Sequence, residues 1–149
     1  MSFLSARLQR VGLLVGLLLL SAHLASAQDR GRESRSVDVF TKIEYALPGR
    51  LHLRQGHASS VEIDVPQAVL DDVETTVDGE TLEISDGDES GFVGRLFGDD
   101  GLDTDRVDVY VTTPTIKDVT LAGSGQVVGE TRIRGAALAL TVAGSGDLE

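Results

Sequence analysis

The chain has 149 residues, with 24 acidic and 13 basic side chains, so its formal net charge at pH 7 is −11. This excess of negative charge excludes nucleic-acid binding through a basic surface, because phosphate backbones would be repelled. The absence of cysteine excludes disulfides, thiolate zinc sites, a cysteine nucleophile and lipid attachment through a cysteine.

Residues 1–27 have the order of a secretory signal peptide. Arg7 and Arg10 precede a continuous apolar run over 11–20, and small residues occupy 25–27. A membrane anchor is the alternative, but the run is about half the roughly 20 residues that a bilayer core requires. We therefore expect cleavage after Ala27 and no stable membrane anchor in the mature chain. The expected location is the periplasm, the outer-membrane surface or the extracellular medium.

Residues 28–36 contain no apolar side chain. Such a segment cannot bury enough surface to offset its loss of conformational entropy, so a flexible leader is predicted. The alternative is a basic tether in which Arg30, Arg32 and Arg35 contact an anionic surface.

From residue 37 onward, apolar and polar residues alternate with a period of two, as in half-buried β-strands. The clearest examples are at 61–65, 81–85 and 107–111, and at Leu51 and Leu53, which flank His52. Two adjacent strands are predicted over 73–77 and 81–85, around a turn at Asp78-Gly79-Glu80. One or two helical turns are predicted over 66–72, and the chain is otherwise predicted to be all-β.

Residues 86–106 are rich in Gly and Asp and predict a long loop. Its apolar residues are expected to cover the core as a lid, since uncovered aromatic residues are uncommon on a monomer; exposed instead, they would form a small binding patch. These residues are Phe92, Leu96 and Phe97. The loop also begins like a calcium-binding loop, with Asp86, Asp88, Ser90 and Gly91, but Phe97 stands where a bidentate Glu is needed. A solvated acidic loop is therefore favoured over a calcium site.

An internal repeat lies near the C-terminal end. The segment TLAGSGQV at 120–127 recurs as TVAGSGDL at 141–148, 21 residues later. A period near 20 with strand-like composition is typical of one winding of a β-solenoid, or β-helix. Glycines at the corners permit sharp turns. The pattern predicts that Thr141 lies beside Thr120 on an adjacent strand, with inward-facing aliphatic residues at Val119, Leu121, Leu138, Leu140 and Val142.

The position of Glu149 bears on the completeness of this solenoid. Glu149, the last residue of the sequence, lies three positions after the second Gly-Ser-Gly, within an expected strand. Because an uncapped solenoid end leaves backbone groups unpaired, we expect a fragment that lacks further windings and whose last strand is poorly ordered or prone to aggregate. The predicted division is a signal peptide over 1–27, a leader over 28–36 and an incomplete β domain over 37–149.

Several segments together resemble the bacterial auto-transporter adhesin head GIN domain family. They are VFTKI at 39–43, VEI at 61–63, VDGETLEI at 77–84, VDVYVTTP at 107–114, and AGSG at 122–125 and 143–146. The resemblance spans about residues 39–149. It implies an exported, β-solenoid-like envelope domain, and it carries over no catalytic residue.

Catalytic and metal sites are weakly indicated. Ser124 and Ser145 lie in Gly-Ser-Gly, which lacks the spacing and the following helix of a nucleophile elbow, so corner turns are favoured. His52 and His57 are an odd number of residues apart and would face opposite sides of a strand, as surface histidines rather than a metal pair. We therefore predict no catalytic residue, no metal site and no cofactor.

The function predicted is that of a non-enzymatic exported envelope module for adhesion or protein association. It would act through a rigid strand surface and through pairing of an edge strand with a partner. The partner would be a protein or a surface glycan, and a homo-oligomer is compatible with the sequence. The alternatives are a carbohydrate-active β-helix enzyme, which would gather two carboxylates in one cleft, and a periplasmic sensor or scaffold.

Overall fold

The structure, a computed structural model, describes residues 30–87 and 107–149. These stretches form eleven strands and one 3-10 helix, at Gln67–Asp72. The strands are β1 (Arg30–Arg35), β2 (Lys42–Tyr45), β3 (Arg50–Gln55), β4 (Ser60–Pro66), β5 (Val73–Asp78), β6 (Thr81–Asp86), β7 (Asp108–Thr113), β8 (Asp118–Gly123), β9 (Gln126–Gly129), β10 (Ala139–Gly144) and β11 (Asp147–Leu148). The all-β prediction is confirmed, together with the short helix and the β5–β6 pair.

The strands form two mixed sheets, neither of which closes on itself. The six-stranded sheet has the order β1-β4-β7-β3-β9-β11, and the five-stranded sheet has the order β10-β8-β2-β6-β5. Antiparallel pairs lie at one side of each sheet, where β1 meets β4, β4 meets β7, and β5 meets β6. All the remaining neighbours are parallel.

The chain passes repeatedly from the five-stranded sheet to the six-stranded sheet. We call each of the successive segments β2–β3, β8–β9 and β10–β11 a two-strand unit. Neighbouring units pair in parallel register, so that Thr141 lies opposite Thr120 and Asp147 lies opposite Gln126. The 21-residue repeat therefore predicted the pairing of these strands correctly.

The core lies between the sheets and contains rows of apolar residues that cross the two-strand units. Within the five-stranded sheet, Ile43 pairs with Val119, which pairs with Leu140, and the parallel row contains Tyr45, Leu121 and Val142. All the residues of these rows on β2 and β8 are buried, whereas Leu140 and Val142 on β10 are 54% and 42% exposed. The inward positions predicted for Val119 and Leu121 are confirmed. Leu140 and Val142 continue the two rows but are exposed, and Leu138, which precedes β10, is 39% exposed.

The prediction of a flexible leader over 28–36 is wrong for its described part. Residues 30–35 form β1, which pairs antiparallel with β4 along its whole length. Arg30 lies 2.6 Å from Asp64, and Arg32 lies 2.7 Å from Glu62. The segment is ordered by the free backbone edge and the acidic side chains of β4, so its lack of apolar residues does not prevent strand formation.

Arg35 fastens β1 to the other sheet. Its Nη1 donates to the carbonyl oxygen of Val73 and, at 3.0 Å, to the hydroxyl of Thr75, and its Nη2 donates to the carbonyl oxygen of Leu70 at 3.5 Å.

We expect Arg35→Met to lower the free energy of unfolding by about 1–2 kcal/mol, because these half-buried acceptors lose their donor. The measurement is urea denaturation. Arg32→Met is the control, because Arg32 is 62% exposed and its ion pairs contribute about 0.5 kcal/mol or less. Equal losses of unfolding free energy from the two variants would contradict the role given to Arg35.

Several predictions fall outside the described residues. These are the signal peptide with its cleavage after Ala27, the lid residues Phe92, Leu96 and Phe97, and the calcium positions Asp88, Ser90 and Gly91. Asp86 is described, and it ends β6 opposite Val73. Within 30–87 and 107–149, no helix is long and apolar enough to span a bilayer.

Candidate functional site

The sequence-predicted candidates are placed apart from one another. Ser124 and Ser145 are exposed at the corners between β8 and β9 and between β10 and β11, and the Ser145 amide donates to the carbonyl oxygen of Gly123 at 3.0 Å. His57 is exposed in the loop after β3, whereas His52 is half-buried within β3. The placement of the two serines agrees with their interpretation as corner turns. His52 is not a free surface histidine, because it is half-buried and contacts Asp108.

His52 belongs to a group of polar side chains on the outer face of the six-stranded sheet, which we call the outer-face cluster. Because side chains alternate along β3, Leu51 and Leu53 point into the core. Arg50, His52 and Arg54 therefore lie on the outer face. Pairing with β7 then places Tyr110 beside His52, and Asp108 beside Arg50. The cluster consists of Arg30, Arg50, His52, Arg54, Asp64, Asp108, Tyr110 and Glu130.

Asp108 is the centre of the cluster. It is only 8% exposed, and its two carboxylate oxygens lie 3.1 Å from Arg30 Nη2 and 3.1 Å from His52 Nε2. Arg50 Nη1 lies 3.9 Å from the same carboxylate. The hydrogen bond to Asp64, with a smaller contribution from Asp108, raises the pKa of Arg30, so this guanidinium remains charged among the acids. The negative charge of Asp108 is thus neutralised by groups from β1 and β3.

His52 lies between two acidic residues and an aromatic ring. Its Nδ1 is 2.8 Å from Glu130 Oε1. Its ring stacks on Tyr110 with centroids 4.5 Å apart and an angle of 15° between the planes. Arg54 lies 5.3 Å from the centroid of the Tyr110 ring and also binds Glu130. Together these contacts fix the ring of Tyr110 on the sheet surface.

The ionisation of the cluster follows from these contacts. The hydrogen bond from Arg54 lowers the pKa of Glu130, which favours the carboxylate. Loss of hydration at the sheet surface, assisted by the charge of Asp108, raises the pKa of Tyr110 and keeps its hydroxyl neutral. Within the part of the chain that the structure describes, no three His, Asp or Glu side chains converge as metal ligands do.

The lowered pKa of Glu130 predicts a pH-dependent contribution to stability. Because the pKa is lowered on folding, the contribution is present above the ordinary value of 4.5 and is lost as the pH falls through the lowered value. We expect Glu130→Gln to melt a few degrees below the unsubstituted chain at pH 7, and this difference in melting temperature to narrow as the pH is lowered from 7 to 3. The control is Glu44→Gln on the exposed face of β2. A gap of equal size at both pH values would contradict the assignment.

Sequence reasoning missed the cluster. Its members come from β1, β3, β4, β7 and the residue after β9, and no two of its contacting partners are close neighbours in the sequence. His52 and Asp108, for example, are 56 positions apart. Only the order and register of the strands brings them together, and no local motif carries that information.

Taken together, the fold and the cluster define an all-β domain of repeated parallel units with a charged and aromatic sheet face. The family whose sequence profile matches the chain is described as "Putative auto-transporter adhesin, head GIN domain", and the match covers residues 39–149. The chain belongs to this family. The resemblance stated from the strand and Gly-Ser-Gly motifs is therefore confirmed.

Solved structures of other bacterial proteins share the fold. A structure described as a putative adhesin from Bacteroides fragilis superposes with a TM-score of 0.71 at 18% identity, covering 83% of this chain and 53% of that one. A putative adhesin from Parabacteroides merdae gives 0.61 at 12%, covering 78% and 45%. A putative lipid binding protein from Parabacteroides distasonis gives 0.63 at 15%, covering 82% and 49%.

These comparisons have two further results. The chain spans about half the length of the solved structures it matches. No curated protein matches its sequence. At identities below 25%, the structural likeness establishes the shared fold, and the family match establishes membership.

Proposed function

We propose that this chain is a non-enzymatic exported module of the bacterial cell envelope that mediates adhesion by binding a protein partner through the outer-face cluster. The family is adhesin-like, and adhesin-described structures share the fold. The observation that carries the proposal is the contact of the Tyr110 ring with both His52 and Arg54 on the outer face of the six-stranded sheet.

The composition of the cluster favours protein recognition. Tyr and Arg are enriched among residues that dominate binding energy at protein interfaces, since they combine large apolar area with hydrogen-bonding groups. Here the ring of Tyr110 is held by stacking, and Arg54 is held by Glu130. Side chains that are ordered before binding lose less entropy on association.

Acid–base catalysis fits this cluster less well. A glycoside hydrolase needs a general acid whose pKa is raised so that it holds a proton at neutral pH. Arg54 instead lowers the pKa of Glu130, and Asp108 is occupied by Arg30 and His52. The carbohydrate-active alternative, derived from the β-helix pattern, therefore remains second.

We also propose that the two-strand units form a β-solenoid-like stack. Support comes from the equal register of successive units, since Lys42 pairs with Asp118 and Asp118 pairs with Ala139. Glycine corners recur at the same place in neighbouring units, where Gly144 pairs with Gly123. Export through the signal peptide over 1–27 belongs to the same proposal, and N-terminal sequencing of secreted protein is expected to begin at Gln28.

The test of the proposed adhesion uses beads coated with the chain and counts their attachment to bacterial cells. A Tyr110→Ser and Arg54→Ser double variant is expected to reduce attachment at least tenfold, because the aromatic and cationic contacts are removed together. Lys42→Ser with Glu44→Gln, on the opposite sheet, is the matched control.

Two results would overturn the proposal. One is equal attachment by the double variant and the unsubstituted chain at equal melting temperature. The other is release of reducing ends from a polysaccharide that Asp108→Asn or Glu130→Gln abolishes, since this result would support the enzyme alternative.

A further inference from the structure

β1 is attached to the fold by polar contacts. It pairs antiparallel with β4 along all six of its residues, and its sequence, RGRESR, contains no apolar side chain. Its side-chain attachments are the hydrogen bonds of Arg35 and ion pairs to three acidic residues, Glu62, Asp64 and Asp108. Separation of β1 from β4 therefore takes no apolar side chain of β1 out of the core. Segments with so few buried apolar contacts open locally at low cost.

The connection from β1 to β2 contains a short exposed stretch. Residues 36–41 have no regular secondary structure. Val37 is partly buried against the core, and Phe40 is 1% exposed. Asp38 and Val39 between them are exposed, Val39 by 76%. A change of backbone direction at these two exposed residues would carry Val37 away with β1 and leave Phe40 in place, so they form a hinge.

The edge of β4 selects the segment that pairs with it. A Cβ built on Gly31 would lie 2.8 Å from Leu70 Cδ2 and 2.9 Å from Gln67 Oε1, so glycine fits this position without displacing the 3-10 helix. Arg30 and Arg32, on either side of the glycine, lie 2.6 Å and 2.7 Å from acidic residues of β4. The segment that fits carries glycine between two basic residues, and β1 of a second copy of the chain provides it.

We propose that two copies of the chain exchange β1, so that each β4 pairs with residues 30–35 of the other copy. The exchanged pairing has the same contacts as the closed chain and differs in the path of the hinge, and exchange of an identical element is a low-cost route to a dimer. Arg30 of the second copy then supplies the contact to Asp108 in the outer-face cluster. The inference goes beyond the proposed adhesion and does not depend on it, because the β1–β4 pairing alone determines the exchange.

The test forms a disulfide across the exchanged strands. The chain has no cysteine, and Ser34 lies opposite Glu62, so Ser34→Cys is made in one chain and Glu62→Cys in another. The two chains are mixed at about 1 mM in a glutathione redox buffer, because a strand on a short tether has an effective concentration of that order. We expect a disulfide-linked heterodimer, identified by mass spectrometry, since these cysteines are in register when β1 of one chain pairs with β4 of the other.

The control for random collision replaces the Glu62→Cys chain with an Arg54→Cys chain. Arg54 lies on the same sheet face and has a similar exposed fraction, 46% against 39% for Glu62. Its strand, β3, is separated from β1 by β4 and β7. We expect about fivefold less heterodimer between Ser34→Cys and this control. Equal yields from the two mixtures would overturn the inference, because the disulfide would then report collisions.

A locked chain tests whether exchange accounts for the dimer. Ser34→Cys and Glu62→Cys are combined in one chain and oxidised in dilute solution, where the closed pairing is favoured. Sedimentation at about 1 mM is expected to show monomer for the oxidised chain and a dimer fraction for the same chain after reduction. Equal dimer fractions before and after reduction would place self-association on another surface and overturn the inference. Monomer in both samples would overturn it as well.

Arg35→Met, added to both cysteine chains, gives a kinetic measurement. Arg35 must leave its acceptors in one copy before it binds those of the other; they are Leu70, Val73 and Thr75. The heterodimer is therefore expected to form about tenfold faster with this substitution. Its final yield is expected to be unchanged, because the same contacts are lost from the closed and exchanged forms. An unchanged rate would contradict the release of β1 and overturn the inference.

Discussion

A Gly125→Ala variant is expected to lose about 3 kcal/mol or more of its free energy of unfolding, the largest effect of any substitution considered for this chain. A Cβ at this position would lie 2.5 Å from the carbonyl oxygen of Leu47, 2.9 Å from Tyr45 Cε1 and 3.0 Å from the oxygen of Gly49. Two of these neighbours are backbone atoms and the third is a fully buried ring, so none can move without displacing β2 or the turn that follows it.

Thermal melting measures this loss, which corresponds to a fall of about 10 °C for a domain of this size. Gly135→Ala is the matched control, because its Cβ would be 3.8 Å or more from its neighbours, at ordinary contact distance. If the two alanine variants melted at the same temperature, the tight stacking of the glycine corner on the first two-strand unit would be contradicted.

The glycine corner and the strands around it could be predicted from the sequence, because the residues that determine them are close together in the chain. Alternating apolar residues predicted β3, β4, β6 and β7, and the 21-residue repeat predicted that Thr141 lies opposite Thr120. The prediction failed at β1, where residues 30–35 contain no apolar side chain and form a strand along β4. Hydrophobic periodicity cannot detect a strand whose order depends on ion pairs with residues far away in the sequence.

The outer-face cluster was inaccessible for the same reason. Arg54 and Glu130 are 76 positions apart, and Arg30 and Asp108 are 78 apart. Their contacts depend on β7 lying between β4 and β3, an order that the residues themselves do not encode in any local pattern. The alternating pattern of β3 predicts that His52 is exposed to solvent. Its neighbours Asp108 and Tyr110 on the adjacent strand β7 make it half-buried and supply its contacts.

Asp108→Ala is expected to lower the free energy of unfolding by about 2–3 kcal/mol, the second-largest effect. The carboxylate is nearly buried and accepts hydrogen bonds from Arg30 and His52, so its removal takes one acceptor from each of them. The loss is smaller than for a fully buried ion pair, because Arg30 is 39% exposed and keeps its contact with Asp64. Glu62→Ala is the matched control on the same sheet face.

Urea denaturation of the two variants separates a central role for Asp108 from a general effect of surface charge. Glu62 is 39% exposed and its ion pair is with Arg32 at the sheet surface, so its loss is expected to cost about 0.5 kcal/mol or less. Asp108→Asn keeps the shape and one acceptor oxygen and is expected to fall between the two. If Asp108→Ala were no less stable than Glu62→Ala, the cluster would not be organised around Asp108, and the fixed position of Tyr110 would need another cause.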